Sequence, residues 1–529
     1  MINFGTRFSV WKQHILPMLL IVLMALVINV RHLNEPPAYI HAWAQADNYS
    51  LALGFLHNGG DLFHPQTMIF NKQQYGFDEP ESLVTACDLP LHHWIIAGLM
   101  RITGSHQPWV FRGLTLAISM LGLWMLYGLA FVLTRCRAKS LLVATLTATS
   151  PAFAYYSASF LPSVPALSMA MGGLLFYVLY LRDSKNGMFY FAVLLLTLAM
   201  MMRTSLAVLW VAVACFQLLR IFRREASLCE SWLPFLLGAV LFAAWWLWSL
   251  YLRQHYGSLF LSSLLPVHSW DDARYVLQNM HDRWRFHYFQ RWHHWLYVLL
   301  TVGVIVVLFL NRKKGKRSAA KLSLWWLLLI WLFGELLFGV AMSAQFIDHD
   351  YYFLDSFFLP IVFLLVLLLA QLPNPSVRWS RVVMLAVVLL FAGFSTAEAC
   401  RMQQERRLEG VEALQTAVRY KYANNMLYQA GYGSKELRFL TLFSYPQNLP
   451  FVMMDREGYS VMWTKPELVA HALEFDYDYI LVEDEVYRRE FDEAPYVLPH
   501  LQRLVGDGEI SVCLYSDTVF HATAEDFFK

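Results

Sequence analysis

The run HILPMLLIVLMALVINV (14–30) decides the fold class, because it is long enough to cross a bilayer and contains no Asp, Glu, Lys or Arg. Shortly after it the chain reads HAWAQADNYSLALGF (41–55), which places Trp43, Gln45 and Asp47 on alternate positions. A carboxylate therefore stands just outside a membrane span, and any reading of this chain has to explain it.

Composition extends the membrane interpretation to the whole chain. Of 529 residues, 57% are hydrophobic, 16% aromatic and only 15% charged, whereas soluble domains are roughly 45–50% apolar. The net charge of +2 gives no reason to expect nucleic acid as a partner. The six cysteines show no paired spacing, so we expect neither a zinc site nor a disulfide framework. These features predict a polytopic membrane protein in contact with membrane lipids.

Hydrophobic runs predict about eleven membrane-spanning helices, each needing about 20 apolar residues. They lie at 14–31, 107–134, 140–157, 163–181, 187–202, 205–222, 232–252, 294–311, 322–344, 352–372 and 379–397. No small-residue cleavage site follows the first run, so we expect a retained signal-anchor.

Basic residues in alternate loops predict the orientation, since cytoplasmic loops are rich in Lys and Arg. The short loops 158–162 and 345–351 contain neither residue. The predicted cytoplasmic set is Arg7, Lys12, Arg135, Arg137, Lys139, Arg182, Lys185, Arg220, Arg223, Arg224, the run NRKKGKRSAAK (311–321), Arg378 and Arg381. We therefore predict a cytoplasmic N-terminus and three outer regions, namely a first loop at about 32–105, a second at about 253–293, and the tail.

The tail alternates helix-like and strand-like runs and predicts a small extracytoplasmic α/β domain. We place it at 398–529, after a transmembrane domain at 1–397. Its acidic run EDE (483–485) is predicted to be a solvated face, and it contains no nucleotide-binding loop.

Two carboxylates flank the first outer loop. The stretch 40–56 is expected to form an amphipathic helix at the membrane surface, with Asp47 near the lipid headgroups. Asp88 stands just before Pro90 in TACDLPLHHWIIAGLMRITG (85–104). A purely structural alternative is that each carboxylate caps a helix.

These motifs together resemble a known superfamily. WAQAD (43–47), DLPLHHW (88–94), Arg112 and HDYYFLDSFFLP (349–360) resemble the GT-C membrane glycosyltransferases. The similarity is to bacterial members that resemble protein O-mannosyltransferases and the aminoarabinose transferases of lipid A. The resemblance implies a GT-C fold, a polyprenyl-phosphate-linked sugar donor, inversion at the sugar, and reaction at the outer face of a bacterial inner membrane.

For such a reaction Asp47 is the candidate general base that takes the proton of the acceptor hydroxyl. Trp43 and Gln45 are candidate supporting residues. Asp88 either positions the acceptor, raises the pKa of Asp47 by like-charge repulsion, or shares a divalent cation with it. Two carboxylates are few ligands for a hard cation, and no cofactor is required by the sequence.

Phosphate leaving groups favour arginine, whose guanidinium donates two parallel bonds. Arg112 and Arg203 stand in apolar surroundings at outer ends of spans and are candidates to bind the donor phosphate. Snorkelling to lipid headgroups is the alternative. Arg285, or its neighbour Arg283, is a further candidate within HDRWRFHYFQRWHHW (281–295), which we expect to be mainly an interfacial helix.

His349, Tyr351 and Tyr352 complete the candidate phosphate-binding set, although tyrosine also anchors helices at interfaces. Glu335 lies near the middle of a span, where a carboxyl is costly unless it is paired or faces a cavity. It is expected to support the cavity, to pair with an arginine, or to bond to a neighbouring helix.

Three alternatives remain at this point. An outer-side polysaccharide ligase or polymerase using a diphosphate-linked lipid would depend on the second loop instead of Asp47. A lipid-sugar transporter or flippase is less favoured, because internal repeats and interrupted helices in matching positions are not found. A non-enzymatic assembly factor would leave the arginines unexplained.

Overall fold

The computed structural model describes residues 4–71, 82–261, 263–310 and 319–529, so 311–318 of the basic run lie outside it. The described helices are α1 Phe4–Asn29, α2 Ala42–His57, α3 Leu91–Thr103, α4 Pro108–Thr134, α5 Arg137–Thr149, α6 Pro151–Tyr156, α7 Ser163–Asp183, α8 Asn186–Met202, α9 Ala207–Phe222, α10 Leu228–Tyr256, α11 Trp270–Asn279, α12 Arg285–Tyr288, α13 Arg291–Leu310, α14 Ala319–Ala341, α15 Gln345–Asp348, α16 Asp350–Asp355, α17 Phe358–Gln371, α18 Arg378–Arg406, α19 Val411–Gln429, α20 Leu449–Met454, α21 Pro466–Ala472 and α22 Asp484–Glu490. The described strands are β1 Phe439–Leu442, β2 Gly458–Val461, β3 Tyr479–Glu483, β4 Leu501–Gly506 and β5 Ile510–Tyr515. The predicted class, mostly α with a small α/β part near the C-terminus, is confirmed.

The apolar helices make this a multi-pass membrane protein. By length and composition, the described residues contain eight helices able to cross a membrane. They are Gln13–His32, Pro108–Thr134, Ser163–Asp183, Thr204–Phe222, Leu228–Tyr256, Arg291–Leu310, Leu324–Ala341 and Arg378–Arg406. Two shorter apolar helices, α8 and α17, accompany them. Eleven spans remains a prediction, but every predicted span overlaps a helix or a helix pair.

Two predicted spans are broken helices. The span predicted at 140–157 divides into α5 and α6 at Ser150, because Pro151 supplies no N–H to continue α5. The span predicted at 352–372 likewise divides into α16 and α17. Both breaks place irregular backbone within an apolar stretch, where its polar groups need partners inside the protein.

Contacts divide the chain into two compact units. Unit 1 contains residues 1–33, 112–245 and 262–405, and unit 2 contains 34–111, 246–261 and 406–529. The domain boundary predicted between 397 and 398 stays a prediction.

Within unit 1, loops predicted to lie on one side of the membrane contact one another. On the predicted outer side, Tyr156, which precedes the loop 158–162, donates to Asp350 of the loop 345–351 at 2.6 Å. On the predicted inner side, Asn374 donates to the Thr134 carbonyl at 2.8 Å. These contacts agree with the predicted alternation of the loops.

Lys139, predicted only as an inner-side charge, has a structural role. It is 5% exposed, and its ammonium donates to the carbonyls of Leu369, Leu372 and Pro373 at 3.0, 2.7 and 3.3 Å. Those carbonyls belong to the C-terminal end of α17, which leaves acceptors unpaired and carries negative partial charge. Lys139 therefore stabilises the end of a buried helix.

In unit 2, the tail folds around a five-stranded sheet with the order β2-β1-β3-β5-β4. The first three strands are parallel, while β5 pairs antiparallel to β3 and to β4. A segment of the first loop lies against β2, since Phe70 N donates to the Gly458 carbonyl at 3.0 Å. Asn71 exchanges two bonds with the backbone of Ser460. The first loop therefore contributes to the core of the tail.

The acidic run EDE (483–485) was expected to be solvated, and that expectation is wrong for its first two residues. Glu483 and Asp484 are 0% and 1% exposed. Arg419 donates to Glu483 at 2.6 Å, and Ser511 donates to Asp484 at 2.6 Å. Buried carboxylates need such partners, which long-range contacts supply.

The stretch 281–295 is not one interfacial helix. It consists of a π-turn at Met280–Trp284, the short helix α12, and the start of α13. Gln290 lies at the break and is 1% exposed. Its side chain donates to the carbonyls of Thr149 and Ser395 at 2.8 Å each, which fixes the break in place.

We predict that Lys139→Met lowers the stability of the protein by about 1–3 kcal/mol, because buried carbonyls lose their donor. Thermal unfolding in detergent measures the loss. Lys185→Met is the matched control, since Lys185 is an exposed lysine of another predicted inner loop. Equal unfolding temperatures for the two variants would contradict the capping role.

Candidate functional site

Asp47 lies in the second turn of α2, inside unit 2. The expectation of a helix at 40–56 is confirmed, but its expected amphipathic pattern is wrong, because nearly all of its side chains from Ala42 to Phe55 are buried. Asp47 is 3% exposed. It does not cap the helix, which begins five residues earlier at Ala42. The carboxyl is therefore held inside the protein.

Local features explain how the chain enters α2. Gln45 donates to the carbonyls of Ala38 and Ile40 at 3.0 and 2.9 Å, which closes the turn before the helix. His41 adopts a left-handed backbone conformation at the N-cap. Gln45 therefore shapes the entry to the helix that carries Asp47. At the far end of the helix, a Cβ on Gly54 would lie 2.0 Å from the Gln66 carbonyl oxygen, so only glycine permits this close approach.

Two side chains bond to the Asp47 carboxyl. Asn448 Nδ2 donates to Oδ1 at 2.7 Å, and the side chain of Trp43 also forms a hydrogen bond. Burial raises the pKa of Asp47 to about 7, and the two hydrogen bonds oppose that rise. A carboxyl with such a pKa exchanges its proton near neutral pH, as a general base requires.

The neighbouring polar groups connect α2 to α3. His93 Nε2 bonds to Asn48 Oδ1 at 2.9 Å, and Tyr49 OH donates to the His106 carbonyl. Burial lowers the pKa of His93 to about 3, so its ring is neutral near pH 7. The Trp43 ring packs edge-on against Tyr445, with centroids 6.4 Å apart.

Asp88 is half-buried in the segment that leads into α3. The N-cap of α3 is Pro90, two residues after Asp88. Asp47 and Asp88 both belong to unit 2. The shared cation and the acceptor-positioning role of Asp88 remain hypotheses.

In unit 1, Arg203 binds a carboxylate that sequence reasoning missed. Arg203 lies at the break between α8 and the turn Thr204–Leu206. Its Nε donates to Asp355 Oδ2 at 2.8 Å, and its Nη2 contacts the same oxygen. Asp355 is 1% exposed and also accepts from Ser163 Oγ at 3.1 Å. A buried carboxylate needs such partners.

The motif HDYYFLDSFFLP surrounds this ion pair. The Arg203 guanidinium lies 5.8 Å from the Tyr351 ring centroid. The His349 ring is 5.4 Å from Tyr351 and 6.1 Å from Tyr352. The structure therefore brings four predicted phosphate-binding residues into one cluster, which we call the Arg203 cluster: Arg203, His349, Tyr351 and Tyr352.

The remaining candidates also belong to unit 1. Arg112 is 3% exposed and donates to the Ala158 carbonyl at 2.7 Å. Arg285 bonds to His281 and lies over the Phe286 ring. Glu335 accepts from Trp331 Nε1 at 2.8 Å, a bond within α14. None of these three contacts joins them to the Arg203 cluster.

Asp350 and Asp355 were within reach of sequence reasoning, because both are carboxylates in an apolar part of the quoted motif. Asn448 gave no such signal, since 401 positions separate it from Asp47. Across the described ranges, no group of three or more His, Cys, Asp or Glu residues is arranged to hold a metal ion.

Comparisons with known proteins find a family model that matches part of the chain and solved structures that share its fold. Residues 80–248 match the sequence model of the family described as dolichyl-phosphate-mannose-protein mannosyltransferase. No curated protein matches the chain.

Several solved structures share the fold. ArnT from Cupriavidus metallidurans, solved with undecaprenyl phosphate bound, gives a TM-score of 0.56 at 11% identity, over 96% of this chain and 99% of that one. The archaeal oligosaccharyltransferase AglB from Archaeoglobus fulgidus, in complex with an inhibitory peptide and a dolichol-phosphate, gives 0.50 at 13%, over 98% and 78%. The arabinofuranosyltransferase AftD from Mycobacteria gives 0.50 at 15%, over 97% and 42%.

We predict that Asp47→Asn stabilises the protein above pH 7 and has little effect below pH 4. The folded-state pKa of Asp47 is raised from 3.8 to about 7, so the unfolded chain loses this proton first. Stability therefore falls as pH rises between these values, by up to about 4 kcal/mol at 1.36 kcal/mol per pKa unit. The unfolding temperature in detergent at pH 4 and pH 8 measures the difference. The exposed Asp517→Asn variant should show none, and an unstabilised Asp47→Asn protein at pH 8 would overturn the assignment.

Proposed function

We propose a reaction for this chain on the premise that it has the fold of the GT-C membrane glycosyltransferases, as its motifs predicted. The proposed enzyme moves a sugar from a polyprenyl-phosphate donor to an acceptor hydroxyl at the outer face of the membrane, with inversion. The observation that carries the proposal is the buried Asp47, with a pKa of about 7, on the helix that follows the first span.

The comparisons support the class of donor. The matching family description names a dolichyl-phosphate-linked mannose. Two proteins of similar fold were solved with undecaprenyl phosphate and with a dolichol-phosphate. A lipid-linked phosphate is also the donor that the apolar composition of this chain favours, since its tail stays in the bilayer.

In the proposed step, the acceptor hydroxyl oxygen bonds to the anomeric carbon while the bond from that carbon to the phosphate oxygen breaks. The lipid phosphate leaves with the bonding electrons, and Asp47 takes the hydroxyl proton. Because this is a single displacement, the configuration at the anomeric carbon inverts. Asp88 is assigned to positioning the acceptor, and Trp43 and Gln45 to supporting the helix and the carboxylate.

The Arg203 cluster is proposed to bind the donor phosphate. A guanidinium has five N–H donors in a planar fork that matches the geometry of a phosphate. The ion pair with Asp355 orients the planar group, as fixed geometry requires. Arg112, Arg285 and Glu335 keep the roles predicted from the sequence only as hypotheses, since their contacts described above are structural.

The proposal places the protein in a bacterial inner membrane. The N-terminus is cytoplasmic, and the tail is extracytoplasmic, following the distribution of Lys and Arg. The acceptor is a hydroxyl of a lipid, glycan or protein. The proposed reaction needs no cofactor, and a divalent cation shared by Asp47 and Asp88 is left for metal-depletion assays to test.

We predict that Asp47→Asn lowers transfer at least 100-fold, because the reaction loses its base, while donor binding is retained. In the wild type, kcat/KM should rise with pH through about 7, as Asp47 ionises. Initial rates with a polyprenyl-phosphate sugar measure both effects. Full activity of Asp47→Asn would refute the assignment.

We predict that Arg203→Lys raises the donor KM about tenfold or more, because lysine keeps the charge but loses the two-pronged bond. Arg182→Lys is the matched control, since Arg182 pairs with Asp183 at an exposed position. Unfolding temperatures verify that both variants fold. A donor KM equal to wild type in a folded Arg203→Lys protein would remove Arg203 from the donor site.

Native mass spectrometry of the purified protein separates the alternatives. Enrichment of a glycosylated polyprenyl phosphate in Asp47→Asn supports the transferase, and the added mass identifies the sugar. A bound diphosphate-linked oligosaccharide would favour the ligase or polymerase instead.

A further inference from the structure

Asn448 joins the C-terminal tail to the proposed catalytic carboxylate within unit 2. Its Nδ2 donates to Asp47 Oδ1 at 2.7 Å, across 401 positions of sequence. The two side chains are 0% and 3% exposed. A bond from an amide to an ionised carboxylate is among the stronger hydrogen bonds, and here water does not compete with it.

The bonding pattern of Asn448 differs from that of other asparagines in the same unit. Asn48, Asn71 and Asn424 each bond through both amide atoms. By contrast, Asn448 Oδ1 is buried and has no hydrogen-bond partner in the described part of the chain. A reversed amide would place that oxygen against the carboxylate, so the bond to Asp47 sets the orientation of the side chain.

Asn448 also occupies a helix N-cap, where an asparagine side chain normally bonds to the helix backbone. It is the N-cap of α20, yet it forms no side-chain bond to the helix backbone. Asparagine at an N-cap usually accepts from the second or third N–H of its helix. Asn448 forgoes this bond and reaches Asp47 instead, so the contact is not a by-product of helix capping.

Small side chains permit this reach. Ala42 and Ala46 of α2 pack in one buried cluster with Ala413, Ala417 and Leu449. Alanines let helices approach closely, so the start of α20 lies beside the second turn of α2. The amide and the carboxylate are thus both mounted on packed helices, as precise positioning requires.

We propose that Asn448 is a positioning residue for Asp47, through which the tail fixes the orientation of the carboxylate and keeps it ionisable. This inference rests on the proposed function of Asp47 as a base. Asn448 itself transfers no proton. Its bond favours the charged form of the carboxyl, which burial alone disfavours.

Other titratable groups lie on the elements packed around α2. His92 and His93 are on α3, Glu412 is on α19, and Tyr445 precedes α20. Burial holds the pKa of both histidines below the usual range and that of Tyr445 above it. A change in kcat/KM or in unfolding temperature near pH 7 that is absent in Asp47→Asn therefore reports the titration of Asp47.

The first test measures the acid limb of the pH dependence of kcat/KM. Asn448→Ala should move its midpoint upward by about one pH unit, corresponding to one lost hydrogen bond. In Asn448→Asp the new side chain has the same shape as asparagine but, when ionised, no hydrogen-bond donor. It places a second carboxyl beside that of Asp47. Its midpoint should move further upward, because like charges oppose ionisation. Unchanged midpoints in folded variants would overturn the positioning role.

The second test does not depend on activity. The unfolding temperatures of proteins with Asp47 and with Asp47→Asn are compared across pH, first with Asn448 present and then in Asn448→Ala. The difference between the paired curves grows as pH rises above the unfolded-state pKa, and the pH at which it stops growing reports the folded-state pKa of Asp47. That pH should be higher in the Asn448→Ala pair, and an equal pH would refute the inference.

Asn424→Ala is the matched control, because Asn424 bonds to Met454 and Arg456 near α20 but not to Asp47. It should lower the unfolding temperature without moving the midpoint of the acid limb of kcat/KM or the pH read from the unfolding curves. If Asp47→Asn keeps full activity, the proposed function fails, while the unfolding curves still decide whether Asn448 controls the carboxyl.

Discussion

The fold of unit 1 depends on one constraint: the backbone carbonyls at breaks between helices need hydrogen-bond donors. Lipid offers no hydrogen bonds, so a break in an apolar helix is tolerated only where protein groups supply donors. Here long polar side chains supply them: Lys139 at the end of α17, Gln290 beside α5, and Arg112 at the Ala158 carbonyl. These bonds hold the short helices whose ends carry the Arg203 cluster.

The same constraint affects whether an ionisable residue in an apolar stretch is assigned a functional or a structural role. Sequence alone favours function for such residues, and Arg112 and Arg203 look alike on that criterion. In the structure Arg112 donates to a backbone carbonyl, whereas Arg203 pairs with a buried carboxylate and lies over the Tyr351 ring. The two arginines therefore differ in partners that the local sequence does not display.

Features determined by neighbouring residues were predictable from the sequence, whereas features determined by residues far apart in the sequence were not. Membrane helices are recognisable because composition over about 20 residues determines them, so every predicted span overlaps a helix. The helix around Asp47 was also predictable, but its burial was not, because residues beyond position 410 cover it. Buried Glu483 and Asp484 were misjudged for the same reason, as their partners come from distant segments.

The contact between the first loop and the tail has a consequence for biosynthesis. Phe70 bonds to Gly458, which the ribosome adds 388 residues later. At roughly 5–20 residues per second, that interval is on the order of 20–80 s. During it the first loop has already been made while the strand it pairs with has not, so α2 and its carboxyl lack their cover. Unit 2 can thus mature only after strand β2 has been made, and a product truncated before it would expose the first loop to quality-control proteases.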